Sequence, residues 1–145
     1  DTEKFVTLRL GGQLIGLPIA QVKDVFQVQG ITPVPLSDPS VLGLMNLRGR
    51  IVVVFSLAGL LQVERKPPGK LSLAVGVNWR GETYGIQTDS IGDVLELPVC
   101  RSEPPPGTLA GPWARHARRV HRLDSELMIE LDVTSLLDMP LVMAA

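Results

Sequence analysis

Short apolar runs, separated by glycine and proline, set the rhythm of this chain. From Glu3 to Leu10, Phe5, Val6, Leu8 and Leu10 are apolar, with Thr7 and Arg9 between the later ones, which predicts a strand. Gly11-Gly12 signals a hairpin, and Gln13 to Leu17 returns until Pro18, which has no donor to offer a ladder. Ile19, Val22 and Val25 recur every three residues, as one face of a short helical turn or the edge of a next strand, Val22 to Val28. Pro33, Pro35 and Pro39 predict an extended, hydrogen-bond-poor connection from Gly30 to Ser40. An apolar lead then reaches Asn46-Leu47-Arg48-Gly49, and the β-branched run Ile51 to Phe55 leaves it. This predicts a hairpin with Arg48 at its tip, Gly49 supplying a positive φ, and a second strand covered on both faces. Ser56 to Leu61 turns helical in composition.

The second half repeats the theme after a polar, proline-containing joint, Glu64 to Lys70. Strands are predicted over Leu71 to Val77, Thr83 to Thr88 and Ile91 to Leu97. Pro98 to Trp113, rich in proline and glycine, reads as irregular, and Ala114 to Leu123 is basic. Asp124-Ser125 can turn the chain into a strand over Glu126 to Asp132, and Val133 to Met139 closes as a short helix ended by Pro140.

The halves also match residue by residue. Gly12-Gln13-Leu14-Ile15-Gly16-Leu17 aligns with Gly81-Glu82-Thr83-Tyr84-Gly85-Ile86, and Lys23-Asp24-Val25-Phe26 with Gly92-Asp93-Val94-Leu95, at an offset of 69 residues. Ile51 to Leu61 aligns with Leu127 to Leu137 at an offset of 76, so the second copy carries a seven-residue insertion in its proline-rich stretch. Two similar units of five short strands, each joined by hairpins and ended by a short helix, predict an all-β fold of two small closed barrels. The expected arrangement is one domain over residues 1–145, with subdomains at about 5–64 and 71–138 whose terminal segments are free to cross over.

Composition narrows the function classes. At 145 residues with 45% apolar and 20% charged, the chain can bury its own core. A net charge of −1 supplies no general field for a polyanion. The longest apolar run, Ile51 to Phe55, is far short of the ~20 residues that span a bilayer, and no signal peptide is read. Cys100 is the one cysteine and fits a reducing compartment. The start at Asp1 fits a piece of a longer protein. Enzymatic chemistry is poorly provisioned. His116 and His121 sit among Arg115, Arg118, Arg119 and Arg122, which repel a cation, so no metal and no cofactor are expected. Cys100 has no neighbouring histidine, there is no phosphate-cradling loop, and Asp89 and Asp93 are too sparse for a calcium loop and serve instead to end or turn strands. The basic run Arg115 to Arg122 reads as a solvated strand face or a protein-binding rim, since Trp79 and Trp113 do not interleave with it.

Asn46-Leu47-Arg48-Gly49 with its flanks, together with Ile31-Thr32-Pro33-Val34-Pro35, resembles the signature of the CheW family of chemotaxis coupling proteins, over about residues 4–138. The resemblance implies two five-stranded, SH3-like barrels side by side around a shared apolar seam. It implies a non-catalytic adaptor that couples the signalling tips of chemoreceptors to the regulatory domain of a CheA-type histidine kinase, and that also meets other CheW-like domains. Val6, Ile19, Val22, Val25 and Ile91 match positions lining the groove where the receptor's helical tip docks. Arg48 matches the motif arginine implicated in coupling, with Asn46, Leu47 and Gly49 shaping its hairpin. A cytoplasmic location at membrane-associated or polar receptor arrays follows from the same likeness, with no nucleic acid and no direct membrane insertion.

The chain departs from the family at Val53, where proline is common, at Ser56, where Asp or Asn is common, in the stretch Pro104 to Arg122, and at Ser125, where glycine is usual. Those departures fit a specialised member or a regulatory or localisation domain within a larger kinase or polar scaffold. A nucleic-acid-binding tandem β-barrel is the alternative of another class.

Overall fold

The protein is described here by a computed structural model over residues 1–63 and 72–138. The joint predicted at Glu64 to Lys70 and the end of the last helix at Met139 lie outside those residues. Eleven strands and three short α-helices are present among the described residues: β1 (Thr2–Leu10), β2 (Gln13–Pro18), β3 (Val22–Gln27), β4 (Val41–Leu47), β5 (Arg50–Ser56), α1 (Leu57–Leu60), β6 (Leu73–Trp79), β7 (Glu82–Thr88), β8 (Ser90–Pro98), β9 (Ser102–Glu103), α2 (Gly111–His116), β10 (Ala117–Arg122), β11 (Leu127–Leu131) and α3 (Val133–Leu137).

These strands form two sheets, ordered β8-β1-β2-β11-β10-β9 and β3-β6-β7-β5-β4. Neither ladder returns to its first strand, so the closed barrels expected from the repeat are open sheets, and one has six strands rather than five. The extra strand is β9, which lies in the proline-rich stretch and pairs with β10 at Glu103↔Val120 and Ser102↔His121; at the matching place the other sheet has only the single bridge Thr32↔Leu44. The stretch also contains the start of α2, so Pro98 to Trp113 is not irregular throughout. The proline-rich connection before β4 is likewise tied down, by two backbone bonds of 2.8 Å between Thr32 and Leu44.

The duplication is exact in register but crossed in space. β1 and β2 correspond to β6 and β7, β3 to β8, β4 to β10, and β5 to β11. Each first hairpin sits with the last three strands of the other copy, so the two sheets have the same order under this correspondence. The parallel junctions agree, with Ile15↔Ile129 in one sheet and Tyr84↔Val53 in the other. The bulges agree too, between Ala117 and Arg119 and between Val41 and Gly43. One sheet is therefore continuous in sequence from β3 to β7, and the other joins the two ends of the chain. The split at about 5–64 and 71–138 describes the repeat, not the sheets. Periodicity tells which face of a strand is buried, not which strand lies beside it.

One apolar core spans both sheets. Val6, Leu8, Ile15, Leu17 and Leu131 meet Phe55, Val75, Val77 and Ile86, and α1 and α3 add Leu57, Leu60, Leu136 and Leu137. Each helix is capped where the repeat predicts. Ser56 Oγ accepts from Gly59 N–H at 3.1 Å, and its counterpart Asp132 accepts from Thr134 N–H at 3.0 Å. Ser56 thus performs the capping that an Asp or Asn provides elsewhere. Smaller clusters fill each sheet separately: Phe26, Met45, Val52, Val54 and Ala74 in one, and Phe5, Leu14 and Met128 in the other.

Candidate functional site

Two features stand out: the hairpin at Arg48 and the two places where the chain passes between sheets. The hairpin closes on a two-residue loop flanked by the pair Leu47↔Arg50. Arg48 and Gly49 have φ of 52° and 84°, the pair of positive values of a type I′ turn. Asn46 Oδ1 accepts from Gly49 N–H at 2.9 Å, which locks the turn. Arg48 stands at the tip with its side chain 68% exposed, and its Nη1 donates to Asp24 Oδ2 at 2.7 Å. Asp24 lies on β3, so the tip is tied to the opposite edge of its own sheet.

Gly76 makes room for that carboxylate. A Cβ at Gly76 would lie 2.3 Å from Asp24 Oδ1. Asp24 Oδ1 is itself buried with no hydrogen-bond partner among the described residues. A shallow cavity of about 170 Å³ lies beside the tip, lined by Lys23, Asp24, Leu47, Arg48, Arg50, Val52 and Thr83. Sequence reasoning singled out Arg48 but not Asp24, although the repeat preserves that aspartate as Asp93.

The five apolar candidates divide by burial. Val6 is 7% exposed inside the shared core. Val22 and Ile91 are partly buried and pack against the same core. Ile19 and Val25 are each 42% exposed. Ile19 opens the 3-10 turn Ile19–Gln21 that carries the chain from β2 to β3, and Val22 follows directly. Ile91 follows the second passage, from β7 to β8, and pairs with Leu8 as Val22 pairs with Val77. That second passage is anchored, since Gly11 N–H donates to Asp89 Oδ2 at 3.0 Å and Thr88 Oγ1 to Arg9 O at 2.9 Å. Val25 adjoins Asp24, so β3 links the apolar positions to the Arg48 hairpin.

The tips of the two copies carry opposite charge. Arg48-Gly49-Arg50 corresponds to Asp124-Ser125-Glu126. Glu126 takes both prongs of Arg9, with Oε1 2.9 Å from Nη1 and Oε2 2.8 Å from Nη2. Those hydrogen bonds hold the Glu126 carboxyl below the ordinary carboxylate range.

The basic run is not a solvated face throughout. His116 and His121 are 1% and 4% exposed, because α2 and the inward positions of β10 carry them into the interior. His116 Nδ1 lies 2.7 Å from Ser135 Oγ, while its Nε2 is buried without a partner among the described residues. Burial, then Arg115, push its pKa below the ordinary imidazole value, with Asp132 opposing. His121 Nε2 lies 2.9 Å from Glu130 Oε1, and Arg118 Nη1 is 3.6 Å from Glu130 Oε2. The matching positions in the other sheet are Met45, Val54 and Leu42, all apolar.

Among the described residues, no group of three or more His, Cys, Asp or Glu side chains could hold a metal ion. No described helix is long and apolar enough to cross a membrane.

The sequence profile of a family described as "CheW-like domain" matches residues 4–140. The chain is 27% identical over 137 residues to the chemotaxis protein CheW of Treponema pallidum, covering 92% of this chain and 81% of that one. It is 27% identical over 105 residues to the protein FrzA of Myxococcus xanthus, covering 72% and 65%. A solved structure of the scaffolding protein TtCheW from Thermoanaerobacter tengcongensis superposes with a TM-score of 0.86 over 96% of this chain and 94% of that one, at 24% identity. That last likeness is one of fold.

Proposed function

The chain belongs to the CheW-like domain family, and on that premise we propose how it performs the family's task. It is a non-catalytic adaptor that links chemoreceptors to a CheA-type kinase in chemotaxis signalling. The whole described chain acts as one domain with two sheet subdomains. Ile19, Val22, Val25 and Ile91 form the apolar floor on which the helical tip of a receptor docks, and Val6 supports that floor from beneath. Arg48 presents a charged fork beside this floor to the receptor or the kinase regulatory domain, and Asp24 fixes where it points. Other CheW-like domains are partners of the same kind. The site of action is the cytoplasmic face of receptor arrays.

The observation that supports this reading best is the bond between Arg48 and Asp24, which joins the motif hairpin to the strand carrying exposed Val25. Work in such arrays is positional, since many modest contacts act together. Capture of a CheA-type regulatory domain and of a receptor signalling tip by the intact chain, against Arg48→Glu and Val25→Asp, tests it. Undiminished capture by both variants removes this surface from the reading.

A further inference from the structure

The sheets are open, so each has a seam between edge strands, and the two seams are built differently. In the β3–β7 sheet the seam is filled around Phe26, and only the shallow cavity of about 170 Å³ beside the Arg48 hairpin is left. Phe26 and Met45 are 6% and 3% exposed, and Ile31 and Leu42 pack onto them. In the other sheet Leu95 stands for Phe26, His121 for Met45 and Leu123 for Leu47. There the seam holds a cavity of about 300 Å³, lined by Leu95, Leu97, Arg101, His121, Arg122, Asp124 and their neighbours.

Polar groups stand at the base of this seam. His121 is held by Glu130, and Phe5 packs its ring 5.0 Å from the imidazole. Glu130 is fully buried, and its Oε2 has no hydrogen-bond partner among the described residues. Placing a carboxylate and an imidazole where the other copy places Val54 and Met45 costs desolvation free energy. The same molecule shows that the apolar solution fits this architecture. At the rim, Arg122 is bridged by Glu103, whereas Arg101 makes no ion pair among the described residues. With Arg122 neutralised by Glu103, Arg101 is the lining cation that stands without a carboxylate partner among the described residues.

We propose that this seam is a binding site for a small aliphatic monocarboxylate: the alkyl chain lies on Leu95, Leu97 and Leu123, and the carboxylate meets Arg101 at the rim. Its volume stands at the lower end of the range for small-molecule sites. The inference is independent of the coupling role, because it uses no residue of the Arg48 hairpin or of the apolar floor.

Titration of the full, isotope-labelled chain with sodium hexanoate, followed by amide chemical shifts, tests it, with hexylamine and hexanol as probes of matched length. Saturable shifts confined to Leu95–Arg101 and His121–Asp124 are expected with hexanoate. Arg101→Ala, at an exposed position, weakens the binding about tenfold. Leu95→Phe, which restores the plug of the other copy, abolishes it. No saturable shift with hexanoate, equal binding of the amine or the alcohol, or unchanged affinity in Arg101→Ala each overturns the proposal. Arg101→Ala decides the matter even where Leu95→Phe disturbs folding.

Discussion

Arg48 and Asp24 meet at 2.7 Å across the mouth of one sheet, and the backbone of Gly76 leaves the notch into which the aspartate fits. Charge and geometry at the tip can therefore be varied separately. Arg48→Glu reverses the charge at an exposed position. It also removes the bond to Asp24, so a loss of about 1 kcal/mol in stability is expected with the fold kept, while capture of kinase domain or receptor tip falls about tenfold or more. Thermal melts beside pull-down read both numbers, and full capture excludes Arg48 from the contact.

Gly76→Ala leaves every charge in place but drives a methyl group into Asp24. Overpacking of this kind costs about 1–3 kcal/mol. If Asp24 positions Arg48, the variant loses partner binding as Asp24→Ala does. Binding at wild-type strength in a folded Gly76→Ala protein shows that the orientation of Arg48 is immaterial.

The apolar candidates should separate by burial. Val25→Asp and Ile19→Asp, at exposed positions, should keep a cooperative melt and lose receptor-tip binding. Val6→Asp places a charge in the shared core and should unfold the protein. A receptor-binding loss of equal size in all three, each with an intact melt, contradicts the division into floor and support.

Gly16 and Gly85 are equivalent positions with different neighbours. A Cβ at Gly16 would lie 2.5 Å from Met128 Cε, the end of a flexible side chain, whereas at Gly85 it would lie 2.7 Å from Phe26 Cζ, part of a rigid ring. Gly85→Ala should cost about 1–3 kcal/mol and Gly16→Ala less, because methionine can swing aside. Denaturant midpoints of the two variants check the order.

His116 carries a pH dependence of defined sign. Its pKa is lowered in the folded state, so between that value and the ordinary value of about 6.5 the unfolded chain binds more protons. The stability contributed by neutral His116 is present above about pH 6.5 and lost as the pH falls. Glu103 and Glu126, also lowered, act only in the carboxylate range further down. The melting temperature should drop between pH 7 and pH 5, and His116→Asn should flatten that slope. An identical slope in the variant assigns the loss to other groups.

Much of this was legible in the residues themselves. The Arg48 hairpin follows from Asn46 and Gly49, and the helix caps from Ser56 and Asp132, because those devices are local. The duplication follows from Gly12–Leu17 against Gly81–Ile86. A crossing of the terminal segments was allowed for, but the exchange of both first hairpins was not legible, since strand patterning is silent about neighbours. His121 looked solvated because it lies in a basic run, and only β10's alternation, with Glu130 opposite, turns it inward. Asp24 was overlooked because its partner is distant in sequence, though its recurrence as Asp93 was a signal.

Among the described residues the backbone passes from one sheet to the other at just two links, Ile19–Gln21 and the Thr88–Ser90 turn. Val22 and Ile91 stand immediately beyond them. A helix seated across both would act as a suture over the molecule's two covalent hinges, fixing the tilt of one sheet against the other. The adaptor would then transmit load as a single stiff strut, the seated helix reinforcing from outside what the shared core already holds from within.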